Sequence, residues 1–275
     1  MNDAVLPYLR CPICSSPITA VSTGPGPSSL RCARGHSFDI AKQGYATLIA
    51  DRTPHAGDSA EMVADRAAFL AAGHYAFIAK ALAATAAGLD ATGLVLDAGT
   101  GTGYYLSAVL DALPGAVGLG LDVSKPALRR AARAHPRANA ALADLWRPLP
   151  LVDGAAGLIV DVFAPRNVPE FRRVLRPGGA LLMVTPTADH LADLVGAYGL
   201  IRVDPDKAGR VGDALGAHFA VESTRTLRRE MRLDAAEVRT LIGMTPSARH
   251  VSLDAIPAAE RTVTAAVDLT TYRPV

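Results

Sequence analysis

The stretch LVLDAGTGTGYYLSAVLDAL, residues 94–113, restricts the folds open to this chain more than any other. A short apolar run ends in Asp97, glycines follow at 99, 101 and 103, and apolar residues then recur at helical spacing. Strand, glycine loop and helix in that order open a parallel α/β unit, because the loop must turn sharply and let backbone approach whatever lies beyond the strand ends. A second apolar run, AVGLGLDVS at 116–124, ends in Asp122 nineteen residues after Gly103. Two acids then stand at the carboxyl ends of strands facing one crevice.

The loop spacing selects the ligand chemistry. A dinucleotide fingerprint is G-x-G-x-x-G, so that a helix N-terminus meets a pyrophosphate; here the spacing is G-x-G-x-G with an acid two residues upstream. That acid repels phosphate but suits a cationic sulfonium bearing an ammonium group, and the loop resembles that of Rossmann-fold methyltransferases that bind S-adenosylmethionine. Asp97 is then expected near the methionine end and Asp122 on the ribose hydroxyls. ANAALADLW at 138–146, GLIVDVFAP at 157–165 and, after a helical stretch, LRPGGALLMVTPT at 175–187 predict a third, fourth and fifth strand. Asp144, closing the third, suits either an adenine amine or a plain helix cap or loop acid. HFAVESTRTLRREMRL and AAVDLTTY, with DAAEVRTLIGM between them, predict a final strand pair. The expected fold class is α/β: a Rossmann-fold class I methyltransferase with a small N-terminal zinc-binding domain.

The N-terminal part of that expectation rests on residues 11–36, CPICSSPITAVSTGPGPSSLRCARGH, which hold all three cysteines of the chain. Cys11-x2-Cys14 and Cys32-x3-His36 are paired soft ligands on tight turns, the donor set of a closed tetrahedral Zn²⁺ site. The intervening residues read as two strands joined by a polar Gly-Pro turn, too small to hold a core without a metal staple. With four positions filled by protein, none stays open for water, so the metal is structural and the chemistry lies elsewhere.

At 275 residues the chain suits one large domain and a small one: a zinc-binding RNA-recognition module at 1–53, the linker RTPHAGD at 52–58, and a methyltransferase domain at 54–275. A net charge of +2 is too small by itself to imply a polyanionic partner. No run reaches eighteen apolar residues and the N-terminus does not read as a secretory signal, so a cytoplasmic protein with no membrane partner is expected.

With both halves in view, the sequence resembles the RlmA family of 23S rRNA guanine-N1 methyltransferases, which includes the tylosin-resistance enzymes of actinomycetes. The likeness is carried by the four metal ligands, GHSFDIAKQGYATL behind them, GDSAEM through FLAAGHY at 57–75, LDAGTGTGYY, GLDVSK, APR, LRPGG with TPTADHL, and MTP at 244–246. It implies cofactor contacts from Tyr75, Gly101, Thr102 and His190, with zinc on Cys11, Cys14, Cys32 and His36; the loop reading adds Gly99 and Gly103 to the cofactor contacts. It also implies a 23S rRNA hairpin near the macrolide-binding exit tunnel as substrate, with macrolide resistance as a consequence to test. Asp161, ending the fourth strand, is the candidate to take the guanine N1 proton; pairing with Arg166 is its alternative. Three basic clusters are candidate RNA contacts: Arg129, Arg130, Arg133 and Arg137; Arg225, Arg228, Arg229 and Arg232; and Arg31, Arg34 and Lys42. Other readings stay open: a small-molecule methyltransferase with a structural zinc module, a zinc RNA-binding protein without catalysis, and, with the wrong loop spacing, a nicotinamide oxidoreductase. Self-association is not legible, and a homodimer is carried as an open expectation.

Overall fold

The computed structural model describes residues 1–22, 26–51, 55–89, 91–200, 215–252, 256 and 259–275. The tip of the expected Gly-Pro turn (23–25) and part of the expected linker (52–54) lie outside the described residues.

Two sheets are present. The smaller is antiparallel, β1 (Ile18–Ser22), β2 (Pro27–Cys32) and β3 (Ser37–Asp39) in that order. A short 3-10 helix, Asp3–Tyr8, precedes it. The larger has eight strands: β4 (Ala46–Thr47), β5 (Leu94–Ala98), β6 (Val117–Asp122), β7 (Ala138–Leu142), β8 (Ala156–Val162), β9 (Leu175–Pro186), β10 (Phe219–Leu233) and β11 (Arg261–Pro274). Their order is β10-β11-β9-β8-β5-β6-β7-β4. Strands β4 through β9 pair in parallel; β11 runs antiparallel to β9, and β10 to β11. The final antiparallel pair expected from the sequence is present. Helices α1 (Ala60–Ala71), α2 (Ala76–Gly88), α3 (Tyr104–Ala112), α4 (Lys125–Ala131), α5 (Val168–Val174), α6 (Ala192–Tyr198) and α7 (Ala235–Gly243), with a second 3-10 helix at Pro246–Arg249, complete the described elements.

The central strands are buried on both faces, as a parallel sheet requires; every residue of β5 and β8 is buried. Alternation along β5 divides the core. Val95 packs with Ile78 and Leu82 of α2 and Leu106 of α3, whereas Leu94 and Leu96 join Leu119, Ile159 and Phe171 on the other side. That second cluster also contains Val5, Leu9, Leu30 and Phe38, so the N-terminal module shares a hydrophobic core with the large sheet. Burying one such aliphatic side chain contributes roughly 1.5–3 kcal/mol.

Backbone groups stitch the same junction. Arg10 N–H donates to Pro150 O at 3.1 Å, Val152 N–H to Tyr8 O at 3.0 Å, and Asn2 N–H to Asn139 Oδ1 at 2.8 Å. Residues 46–47, upstream of the expected boundary at 53, form the edge strand β4 against Ala141 and Leu142. The chain thus enters the catalytic sheet before it reaches the expected linker.

Candidate functional site

Two hydrogen-bonded backbone turns bring the metal-binding donors together. Ser15 N–H donates to Cys11 O and Cys11 N–H to Ser16 O, both at 2.8 Å, closing one knuckle. Gly35 N–H and Cys32 N–H close the other on Cys32 O and His36 O, both at 3.0 Å. Ser15 and Gly35 take the positive φ values, 59° and 85°, that these turns need. The donor atoms of Cys11, Cys14, Cys32 and His36 lie within 4.8 Å of one another. Cys14 Sγ is 3.7 Å from Cys32 Sγ, and His36 Nδ1 is 3.5 Å from Cys11 Sγ and 3.4 Å from Cys32 Sγ. A tetrahedral zinc with bonds of about 2.3 Å to sulfur requires edges of about 3.8 Å, so the donor set fits that ion. The Ser16 hydroxyl, 3.4 Å from Cys14 Sγ, leads the contacts that hold this thiol down to about 6.

A cavity of about 970 Å³ opens at the carboxyl ends of the central strands. Tyr75, Gly99, Gly101, Thr102, Asp122, Asp144 and His190 all line it, seven of the nine residues expected to bind cofactor. Its volume is at the top of the roughly 300–1,000 Å³ range of small-molecule sites, with room for a nucleoside cofactor and a second planar group.

Asp122 organises the loop. Its Oδ2 accepts Gly101 N–H at 2.9 Å and its Oδ1 accepts Ser124 N–H at 2.8 Å, while burial pushes its carboxyl pKa up. Asp144, at the end of the β7 loop, accepts Trp146 N–H at 3.0 Å on one oxygen and lies 2.9 Å from His55 Nδ1 on the other. It is a buried turn acid, not a helix cap or a solvated one. Tyr75 packs edge-on against Phe69, ring centres 5.1 Å apart, and its hydroxyl lies 3.5 Å from His190 Nε2. His190 Nδ1 lies 3.0 Å from Ala266 O, and burial lowers its pKa to about 4, leaving a neutral imidazole at pH 7.

Four of the candidate residues are placed differently from the rest. Asp97 and Gly103 do not line the cavity. Thr100, which does, stands in front of Asp97 and donates its hydroxyl to Asp97 Oδ2 at 2.6 Å, so Asp97 lies one layer behind the wall. Asp161 does not line the cavity either: it is fully buried, makes no hydrogen bond through either carboxyl oxygen, and lies 3.9 Å from Arg166 Nε. Arg166 is its ion-pair partner at that distance, while burial pushes the Asp161 pKa well above its ordinary value. Arg137 is removed from the basic candidates, since its guanidinium donates to the carbonyls of Leu110, Leu113 and Ala116 and closes the end of α3.

Burial raises the Asp97 pKa to about 7 despite the Thr100 bond. An unfolded aspartate titrates near ~3.9. The folded state therefore holds this proton more tightly, and the associated stability is complete below about pH 4 and lost as pH rises through 7. Urea midpoints should fall between pH 5 and pH 8, and Asp97→Asn should flatten that fall; parallel pH profiles for the two proteins would contradict the assignment.

Gly99 shows how tightly the loop is seated. It has φ +76°, and a Cβ there would lie 2.4 Å from Ala164 Cβ. Gly99→Ala combines a left-handed backbone with a clash and is expected to cost about 3 kcal/mol or more, measured as a shift in denaturant midpoint.

Sequence reasoning gave no role to several lining residues, among them Asp58, Arg66 and Phe163. Arg66 pairs with Asp58 and donates to Met244 O at 2.7 Å, tying the GDSAEM segment to the MTP segment. Gly57 lies so close to Ser124 that an added Cβ would stand 2.7 Å from its backbone, and Ser124 Oγ donates to Asp58 O at 2.8 Å. The sequence signal for these contacts was the quoted motifs themselves, which packing joins at one cavity.

A doubly wound sheet with this glycine loop, a strand-end acid on the loop backbone and a nucleoside-sized cavity defines a Rossmann-type S-adenosylmethionine-dependent methyltransferase. Residues 9–50 match the family model described as RlmA, N-terminal, a zinc ribbon, and residues 95–179 match the methyltransferase domain. A Micromonospora griseorubida protein assigned as a 23S rRNA (guanine-N1)-methyltransferase is 55% identical over the whole of both chains. The 23S rRNA (guanine(748)-N1)-methyltransferase of Streptomyces fradiae is 50% identical over 92% of this chain and 90% of its own. A chain from the solved Haloferax volcanii complex of a methyltransferase with its activator shares the fold, with TM-score 0.51, 17% identity, and coverage of 80% of this chain and 98% of that one. The chain belongs to the 23S rRNA (guanine-N1)-methyltransferase family, with S-adenosylmethionine as cofactor and a zinc ribbon at its N-terminus. Among the described residues no single helix is long and apolar enough to cross a membrane.

Proposed function

We propose that the chain methylates N1 of a guanine in a 23S rRNA hairpin near the macrolide-binding exit tunnel, at the nucleotide equivalent to that modified by the S. fradiae relative. The supporting observation is the convergence of seven expected cofactor residues on one cavity large enough to admit a nucleobase as well. Residues 1–53 would form the zinc-binding RNA-recognition module and 54–275 the catalytic domain. Cys11, Cys14, Cys32 and His36 would hold zinc. Action on rRNA would place the protein in the cytoplasm, and reduced susceptibility to tylosin-type macrolides is a consequence to test.

Bound S-adenosylmethionine would supply a methyl already activated on sulfonium, with S-adenosylhomocysteine as the leaving group and water as acceptor of the guanine N1 proton. The chain's contribution is positioning. Asp122 would grip the ribose while fixing the loop, Asp144 would face the adenine, and Tyr75 and His190 would close the methionine end. A neutral His190 adds no second cation beside a sulfonium. Guanine N1 lies on the Watson–Crick edge, so the target must be unpaired or flipped, which favours a hairpin loop over duplex.

Among the basic clusters, the zinc module is the favoured candidate to grip the phosphate backbone, because Arg31, Arg34 and Lys42 are exposed on a module that contributes no residue to the cavity. In vitro transfer of labelled methyl tests the reading. A hairpin with one unpaired guanine should accept methyl, and the same hairpin carrying N1-methylguanine at that position should accept none. Equal labelling of both would refute N1 as the acceptor.

A further inference from the structure

Among the described residues five large apolar side chains are exposed, and the two aromatic ones, Trp146 and Phe163, both line the cavity. They follow different strands. Trp146 follows Asp144 beyond β7, whereas Phe163 follows β8, the strand that pairs directly with β5 beneath the glycine loop.

Phe163 is unusual in two further respects. Its φ is +55°, a left-handed conformation that a bulky L-residue adopts only where the surroundings impose it. Its N–H donates to Val184 O at 3.2 Å, and the next residue, Ala164, is seated against Gly99, so the backbone around the ring is pinned on both sides. The ring stands 5.7 Å from that of His190 and 6.3 Å from that of Tyr75, yet Phe163 remains 41% exposed. A strained backbone that presents an aromatic face to a cavity leaves apolar surface in water, a cost that core packing alone does not explain.

Asn167 fixes this loop to the one bearing Trp146. Its Nδ2 donates to Leu145 O at 2.8 Å and to Arg147 O at 3.3 Å, the carbonyls on either side of Trp146. These two bonds tie the Phe163 loop to the Trp146 loop.

We propose that Phe163 is the acceptor-base platform: the flipped purine stacks on its ring beside His190 and Tyr75, with Asn167 as a positioning residue that holds the platform in register with the cofactor end. This rests on the rRNA reading above and adds the surface that receives the base.

The test uses the full chain saturated with S-adenosylhomocysteine and two RNA hairpins, one with the unpaired guanine and one abasic at that nucleotide. A stacking contact changes affinity by roughly tenfold. Wild type should bind the guanine hairpin about tenfold more tightly than the abasic one, and Phe163→Ala should bind both equally. Methyl transfer to the guanine hairpin should fall at least tenfold in kcat/KM for Phe163→Ala, be restored by Phe163→Tyr, and leave cofactor affinity within twofold. If Phe163→Ala binds no cofactor, Phe163→Leu carries the same comparison. Equal discrimination by wild type and variant, with full transfer activity, overturns the platform alone. A wild type that methylates neither this hairpin nor intact 23S rRNA overturns the rRNA reading and the platform with it.

Discussion

Asp122→Ala is expected to weaken S-adenosylmethionine binding at least a hundredfold while leaving the fold intact. The carboxylate does two things at once. Its two oxygens accept Gly101 N–H and Ser124 N–H, which fixes the glycine loop and the start of α4. It also lines the cavity, where its remaining lone pairs would be available to the ribose hydroxyls of the cofactor. Alanine leaves two backbone donors without their partner, at roughly 1–3 kcal/mol each, and removes charged acceptors worth roughly 1.5–3 kcal/mol per bond to bound hydroxyls. Loop disorder in the free protein offsets part of this, and about 3 kcal/mol, or a hundredfold, is what should survive. Calorimetric titration of the full chain checks it. Affinity within threefold of wild type would show that the acid serves the loop and not the ligand.

The second large effect concerns the metal. Structural zinc contributes roughly 10–16 kcal/mol of binding free energy in isolated finger peptides. Here the ribbon shares its apolar residues with the main core: Val5, Leu9 and Leu30 lie in one cluster with Leu94, Leu96 and Leu119. Losing the metal should therefore loosen the sheet as well as the ribbon. Cys32→Ala is expected to abolish zinc binding and lower Tm by about 10 °C or more, given roughly 2–4 °C per kcal/mol for a chain of this size. Scanning calorimetry with metal quantification reads both. A variant that loses zinc but keeps Tm within 2 °C would mean that the ribbon folds as an appendage.

Much of this was legible in the sequence, for identifiable reasons. Continuous apolar runs ending in acids marked the parallel strands, and spacing identified the metal ligands, because both signals are local. What was not legible depends on which way a side chain points at the end of an element. Asp122 is the last residue of β6, whereas Asp97 and Asp161 each stand one residue before the ends of β5 and β8, and of the three only Asp122 lines the cavity. Arg137 belongs to a basic run, but its guanidinium is spent on the carbonyls that end α3. The edge strand at 46–47 is two residues long and shows no period of its own; it forms because Ala141 and Leu142 offer an open edge. Phe163 was quoted within a strand-end run, but nothing local reveals a positive φ or an exposed ring.

The central claim is that this chain places a methyl on N1 of one guanine of 23S rRNA. Primer extension over 23S rRNA from cells with and without the gene tests it most directly, because an N1-methyl blocks Watson–Crick pairing and halts reverse transcriptase. The expected result is one new stop, at a hairpin guanine equivalent to that modified by the S. fradiae relative, present with the intact gene and absent with Asp122→Ala. Identical extension patterns from the two strains would contradict it.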